Sequence, residues 1–71
     1  MTQTERVLDY MKRNGHIDPM SALLELGIMR LGARIWDLKA QGIQVVTEMK
    51  SRTTADGSIK RWAEYRLGES A

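Results

Sequence analysis

Residues 22–42 read ALLELGIMRLGARIWDLKAQG, and this stretch decides the fold. Its second half repeats large aliphatic side chains at positions i, i+4 and i+7, which are Leu31, Ile35 and Leu38. This spacing places the three on one face of a helix that spans about residues 30–41. Upstream, a glycine and two further residues separate this helix from another apolar run, and glycine commonly ends helices. The stretch therefore predicts two helices joined by a tight turn, of which the second buries one face.

An earlier helix is predicted from the residues at its two ends. Thr2 and Glu5 have the spacing of a capping box, in which each side chain accepts a hydrogen bond from the backbone N–H of the other residue. The helix then covers about residues 3–14 and ends at Gly15. The short connection after it includes Ile17 and has room for one extended segment.

A second, short helix begins at Asp18 and Pro19, because aspartate caps helix starts and proline fits the first helical position. Met20, Leu23 and Leu24 follow at i, i+3 and i+4, so we expect this face of the helix to be buried. Methionine often fills irregular gaps in a core. Three methionines are accordingly assigned to the core: Met11, Met20 and Met49.

Two runs typical of β-strands follow the third helix, at residues 43–49 and 59–67. Between them lies Asp56-Gly57, a dipeptide that favours a two-residue type I′ hairpin turn. Such a turn sets Arg52 directly opposite Arg61, and like charges in that position repel each other. The pairing indicates either that an anion normally binds there or that the loop is longer and the register different.

The composition describes one small globular domain. The chain has 71 residues, of which 42% are hydrophobic, a proportion that argues against disorder. With no cysteine and one histidine, the sequence excludes disulfides and thiolate or histidine-rich metal sites. No apolar run reaches the roughly 18 residues of a membrane span, and the first residues lack a signal-peptide pattern. We therefore expect one domain over residues 1–67, a flexible tail over residues 68–71, no membrane association and a cytoplasmic location.

The positive charge is concentrated in the second part of the chain. The net charge is +2, with three basic and four acidic side chains in residues 1–27 and eight basic and five acidic ones in residues 28–71. This asymmetry favours a one-sided surface for a polyanion, although an ordinary solvated face also explains it.

Residues 22–42 reduce to the pattern L-x-x-L-G-I-x-R-L-x-x-R-I-x-x-L-x-x-x-G. Together with the hairpin, this pattern resembles a winged helix-turn-helix, an α+β fold of three helices followed by a two-stranded β-hairpin wing. It is similar to a family of small bacteriophage and prophage proteins of that class, and the resemblance covers residues 3–67. The resemblance implies a regulator of phage genes in a bacterial host, with the third helix in the major groove of double-stranded DNA and the wing on the backbone or minor groove.

Eight residues are the candidate DNA contacts. On the third helix, a small alanine allows close entry into a groove, and two arginines beside it can bind guanine or phosphate. The aspartate on that face either pairs with an arginine, which we favour, or accepts a hydrogen bond from a cytosine amine. The wing cations can reach phosphates, or they protect an exposed hairpin edge. The set is Arg30, Ala33, Arg34, Asp37, Lys50, Arg52, Lys60 and Arg61.

The two tryptophans have a structural and a functional interpretation. Trp36 can face the DNA groove and Trp62 can stack on a base or wedge between bases. Large aromatic side chains in small domains more often pack within the fold, and we expect Trp62 to pack across the hairpin.

The main alternative function is a protein-interaction module that docks on a host or phage protein, since +2 is a small charge for a DNA-binding chain. An enzyme is not expected, because no nucleophile–base pairing is evident. We expect no cofactor, no metal and no small-molecule ligand. A single module of this size covers a short DNA site, so a homodimer or tandem binding is compatible with it.

Overall fold

The computed structural model describes residues 1–68, which form three helices and a two-stranded sheet. The helices are α1 (Gln3–Asn14), α2 (Pro19–Ser21, continued by the π-helical segment Ala22–Leu26) and α3 (Leu31–Ala40). The antiparallel strands are β1 (Val45–Thr53) and β2 (Ile59–Leu67). The predicted order of three helices followed by a hairpin is confirmed. Within this described part, no helix is long and apolar enough to cross a bilayer.

Both predicted helix starts are confirmed by their hydrogen bonds. The Thr2 hydroxyl accepts the Glu5 N–H at 3.1 Å, and the Glu5 carboxylate accepts the Thr2 N–H at 3.0 Å. The Thr2 backbone N–H also lowers the pKa of Glu5. At the second helix, the Asp18 carboxylate accepts the Ser21 N–H at 2.7 Å. Helix α1 ends at Gly15, whose φ of 86° is the left-handed conformation that glycine adopts without strain.

The core lies between the helices and the base of the sheet. The predicted stripe of α3 is confirmed, since Leu31, Ile35 and Leu38 are all buried. Side chains from the base of the sheet, such as Tyr65, pack against it. The prediction that Met49 fills the core is wrong, because its side chain on β1 is 66% exposed. The buried hydrophobic residues are Val7, Tyr10, Met11, Ile17, Ala22, Ile28, Leu31, Ile35 and Leu38.

The predicted buried face of α2 is wrong. Met20, Leu23 and Leu24 are 63%, 44% and 74% exposed, whereas Ala22 and Ile28 are buried. The inward face of α2 instead carries Ala22 and the half-buried Leu26, which are spaced i and i+4. The apolar spacing of Met20, Leu23 and Leu24 therefore identified the wrong face, and the π-helical segment, in which the Gly27 N–H bonds to the Ala22 carbonyl, ends the helix.

The hairpin register also differs from the prediction by one residue. Arg52 lies opposite Lys60, and Arg61 lies opposite Ser51. Asp56 does not have the positive φ that a type I′ turn needs, and only Gly57 in this turn does, at 87°. The loop therefore has three residues between the pair formed by Thr54 and Ser58, whose backbone hydrogen bond measures 2.8 Å.

The Asp56 side chain explains why the longer turn forms. Its carboxylate accepts hydrogen bonds from the Thr54 hydroxyl and from the Ser58 N–H, the latter at 3.0 Å. These bonds, with the Thr54 hydroxyl as the main cause, hold the pKa of Asp56 at about 2. A side chain that bonds to its own loop in this way replaces the two-residue turn that the dipeptide suggests.

A short extended segment between α1 and α2 joins the sheet, as predicted. The Ile17 N–H donates to the Tyr65 carbonyl at 2.9 Å, and the Tyr65 N–H donates to the Ile17 carbonyl at 2.8 Å. Just beyond the C-terminal end of β2, Gly68 donates its N–H to the Gln44 carbonyl at 2.8 Å. The rest of the predicted flexible tail, residues 69–71, lies outside the described residues.

Candidate nucleic-acid interface

One side of α3 is attached to α1 by a small polar cluster. The Asp37 carboxylate lies 3.2 Å from Arg34 Nε and accepts a hydrogen bond from the Thr4 hydroxyl, also at 3.2 Å. Arg34 Nε is buried and its contact with Asp37 is an ion pair without good hydrogen-bond direction. The pairing of Arg34 with Asp37 that the sequence offered as one alternative is therefore present. Both side chains, and the half-buried Ala33, lie away from the most exposed side of the helix.

The most exposed side of α3 carries an unexpected tryptophan. Trp36 is 69% exposed, so of its two interpretations the one that packs it within the fold is wrong. Gly32, one turn earlier, is also exposed, and a Cβ built on it meets no atom within 4 Å. Arg30 precedes the helix and is exposed, and no carboxylate of residues 1–68 lies within 4.0 Å of its guanidinium.

The observed register divides the wing cations between the two faces of the hairpin. Lys50, Arg52 and Lys60 share one face with Trp62, because Lys50 pairs with Trp62 and Arg52 with Lys60. Arg61 lies on the other face, opposite Ser51. The sequence predicted one compact basic patch, and the one-residue shift in register places Arg61 outside it.

Acidic side chains on the hairpin neutralise some of these cations. Lys50 Nζ lies 3.0 Å from Glu48 Oε1, and an Arg66 terminal nitrogen lies 3.3 Å from Glu48 Oε2. The hydrogen bond with Lys50 lowers the pKa of Glu48 and raises that of Lys50. Arg52, Lys60 and Arg61, in contrast, have no carboxylate within 4.0 Å in the described part of the chain.

The predicted site residues thus fall into two groups. Four cations are exposed and unpaired within residues 1–68, and they belong to the start of α3 or to the wing: Arg30, Arg52, Lys60 and Arg61. The other four are half-buried or held in ion pairs: Ala33, Arg34, Asp37 and Lys50. The helical period alone does not reveal this division, because it identifies the buried stripe but not which flank of the helix contacts α1.

Comparison with known proteins agrees with this geometry. The family described as winged helix-turn-helix domain matches residues 2–70, nearly the whole chain. Comparison with curated protein sequences finds no match. The bacteriophage or prophage origin suggested by the resemblance stays a prediction. In residues 1–68, no three His, Cys, Asp or Glu side chains lie close enough together to hold a metal ion.

Proposed function

Because the chain belongs to the winged helix-turn-helix domain family, a typically non-enzymatic fold associated with DNA binding in general, we propose that it is a transcriptional regulator that binds specific duplex DNA. In this proposal α3 enters the major groove and the wing contacts the backbone. Regulation of phage or prophage genes in the cytoplasm of a bacterial host is the context that the sequence resemblance suggests.

The observation that carries the proposal is the distribution of unpaired cations. Arg30 stands at the start of α3, and Arg52, Lys60 and Arg61 stand on the wing, which are the two elements that such folds apply to DNA. None of the four is neutralised by a carboxylate of residues 1–68. Like charges at Arg52 and Lys60 face each other directly, an arrangement that an anion stabilises.

The two elements have different roles in the proposal. Arg30 lies beside the end of α3 that reads base edges in helix-turn-helix complexes, so it is assigned to base or phosphate contact there. Arg34 keeps only its terminal nitrogens for DNA, because its Nε pairs with Asp37. The wing cations contact phosphates, which sets affinity and orientation without reading sequence.

The test begins with selection of a preferred site from genomic fragments by the purified protein. Affinity for that duplex and for a scrambled duplex is then measured over a range of salt concentrations. Each phosphate contact contributes about 0.9 to the slope of log affinity against log salt. Replacing Arg52 and Lys60 by glutamine should flatten this slope by up to about two units and weaken both duplexes nearly equally.

A matched control removes the same charge from a distant surface. Lys12 and Arg13 lie exposed in the last turn of α1, and replacing both by glutamine should leave the salt slope unchanged. If the wing variant folds normally and keeps the parent slope, the wing does not contact DNA. If no duplex is selected at all, the proposed function is wrong.

The alternative function, docking on a host or phage protein, is favoured by a separate observation. Large apolar side chains are exposed on α2, in the following turn and on α3, among them Leu24, Met29 and Trp36. Scattered apolar residues are normal on protein surfaces, whereas a contiguous patch marks an interface. A partner captured independently of salt concentration, with no selected duplex, would support this alternative.

A further inference from the structure

A depression lies between the start of α2 and one face of the wing. Its volume of about 600 Å³ is within the range of sites that hold small organic ligands. The residues that line it are Asp18, Pro19, Met20, Arg52, Lys60 and Trp62. The predicted DNA contacts account for Arg52 and Lys60 in this set, and they leave the apolar and acidic members without a role.

The two walls of the depression are held apart by the backbone. The bridge between Ile17 and Tyr65 aligns the chain before α2 with β2, and Asp18 follows immediately and caps the helix. Trp62 lies three residues from Tyr65 on the same strand. The backbone hydrogen bonds at Tyr65 thus set the spacing between the start of α2 and β2, and the side chains of Met20, Arg52, Lys60 and Trp62 complete the lining.

The chemistry of the walls matches a nucleotide. Trp62 is half-buried, and Met20 beside it is largely exposed, so an apolar surface faces the opening. Arg52 and Lys60 stand opposite each other at the wing and have no carboxylate partner among the described residues. An aromatic face next to unpaired cations is the combination with which proteins bind single-stranded nucleic acid, since the base stacks and the cations hold the backbone.

Asp18 indicates which part of an occupant lies next to it. One of its oxygens accepts the Ser21 N–H, and its carboxylate lines the depression. A carboxylate repels other anionic groups, phosphates and carboxylates alike, so the anionic part of an occupant lies at Arg52 and Lys60 and a hydrogen-bond donor lies at Asp18. A carboxylate instead accepts a hydrogen bond from the exocyclic amine of a base, as aspartate and glutamate do with cytosine. The combination of Asp18, Trp62 and the two cations therefore favours a base that carries an amine.

We propose that this depression binds one unpaired nucleotide of DNA, with the base stacked on Trp62, its amine bonded to Asp18 and its phosphates held by Arg52 and Lys60. The proposal rests on the proposed DNA-binding function and adds a subsite to it. It gives the protein a preference for DNA that carries an unpaired cytosine, adenine or guanine beside the duplex, and a lower preference for thymine, which lacks an exocyclic amine.

The direct test uses the fluorescence of Trp62 in a Trp36→Phe variant, where it is the single tryptophan. Octamers of deoxycytidine and of thymidine are titrated against this variant. Stacking should quench the fluorescence, and the cytidine octamer should bind about fivefold more tightly, the effect of one base-specific hydrogen bond. Replacing Arg52 and Lys60 by glutamine should abolish the quenching, whereas the same replacement of Lys12 and Arg13 should leave it.

Asp18→Asn provides a variant that keeps the fold. Asparagine caps helices as well as aspartate does, so α2 should still form. Its amide group can donate as well as accept, which removes the advantage of an amine on the base. The preference for the cytidine octamer should therefore fall to near parity or reverse towards thymidine. A preference that survives this change would show that Asp18 does not contact the base.

A second arm separates this inference from the proposed function. A fully paired duplex is compared with the same duplex interrupted by three unpaired cytidines, in the parent protein and in Trp62→Leu. The gapped duplex should bind more tightly to the parent, and Trp62→Leu should lose this gain while it retains binding and salt slope on the paired duplex.

Normal binding of the paired duplex without gain or quenching overturns the subsite alone, whereas octamer binding without duplex binding overturns the proposed function alone. Quenching by an acidic peptide and not by either octamer would assign the depression to a protein partner and overturn the inference.

Discussion

The helical part of the molecule and the outer part of the wing, beyond the ion pairs of Glu48, use their polar groups in opposite ways. Between the helices, Asp37 joins Arg34 and Thr4, and the Tyr10 hydroxyl donates to Glu25, which raises the pKa of Tyr10. These contacts use charge and hydrogen-bonding capacity to hold one helix to another. On the wing, Arg52 and Lys60 face each other instead, with no carboxylate partner in residues 1–68. The contrast indicates that the polar groups of the helices stabilise the fold, and that the outer part of the wing keeps its charge for a partner outside the chain.

The strongest test of this contrast removes a large side chain from the helical core. Leu38→Ala should lower the free energy of unfolding by about 2–5 kcal/mol, because the side chain is fully buried. Leu24→Ala is the matched control, since Leu24 is 74% exposed and its truncation should change stability by less than about 0.5 kcal/mol. Chemical denaturation of both variants measures the difference. Equal effects would contradict the inward orientation of α3.

The next largest effects are expected for Arg30 and Arg34, of which one should affect DNA discrimination and the other stability. Arg30→Ala should reduce discrimination between the preferred and altered DNA sites by about 1–3 kcal/mol and leave the melting temperature nearly unchanged. Arg34→Ala should chiefly lower the melting temperature, because it leaves Asp37 with only the Thr4 hydroxyl. Binding titrations and melting curves of both variants decide the matter. If Arg34→Ala costs more discrimination than Arg30→Ala, the assignment of the two side chains is reversed.

The substitution Gly32→Ala tests stability and DNA binding separately on the same helix. A Cβ at this position meets no atom within 4 Å, so Gly32→Ala should stabilise the helix by about 0.5–1 kcal/mol. The same methyl group projects from the exposed side of α3. Thermal unfolding measures the gain, and a duplex titration shows whether a close contact with DNA is disturbed. A loss of stability would contradict the open space at this position.

The smallest expected effect concerns the wing turn and pH. The Thr54 hydroxyl and the Ser58 N–H hold the pKa of Asp56 at about 2, below the 3.8 of a free aspartate. Because the folded pKa is the lower one, the carboxylate stabilises the turn above about pH 4, and this contribution is lost as the pH falls towards 2. An NMR titration should show the Ser58 amide shifting within this window in the parent and not in Asp56→Asn. A midpoint near 3.8 would contradict the hydrogen bonds of the turn.

The sequence predicts those parts of the fold that short-range patterns control. The capping box at Thr2 and the stripe through Leu31 determine α1 and α3, and both are confirmed. The burial of α2 was predicted wrongly because apolar side chains occupy more than one face of this short helix, and tertiary contacts select the face of Ala22. The hairpin register was missed because the Asp56 side chain selects the loop length, and a one-residue shift moves Arg61 to the other face of the wing.

The site was harder to predict for a related reason. Sequence identified the cations and favoured the pairing of Asp37 with Arg34, which is present, but only the arrangement of neighbours shows that Glu48 neutralises Lys50. Glu48 lies two residues from Lys50, where chance pairs are common. The exposure of Trp36 depends on which flank of α3 packs against α1, and that choice is made by tertiary contacts across the chain.

The bridge between Ile17 and Tyr65 fixes the base of the wing and leaves its outer part free to bend. At Tyr65, β2 is bonded on both edges, whereas the six residue pairs from Glu48–Glu64 to Thr53–Ile59 form a ribbon bonded only to itself. At about 3.4 Å per residue this free arm is about 20 Å long, so a rotation of about 10° at its clamp moves the tip by about 3.5 Å. The arm can thus follow a bent or uneven surface at its tip while the helices stay still, and amide hydrogen exchange should quicken along β2 with distance from Tyr65.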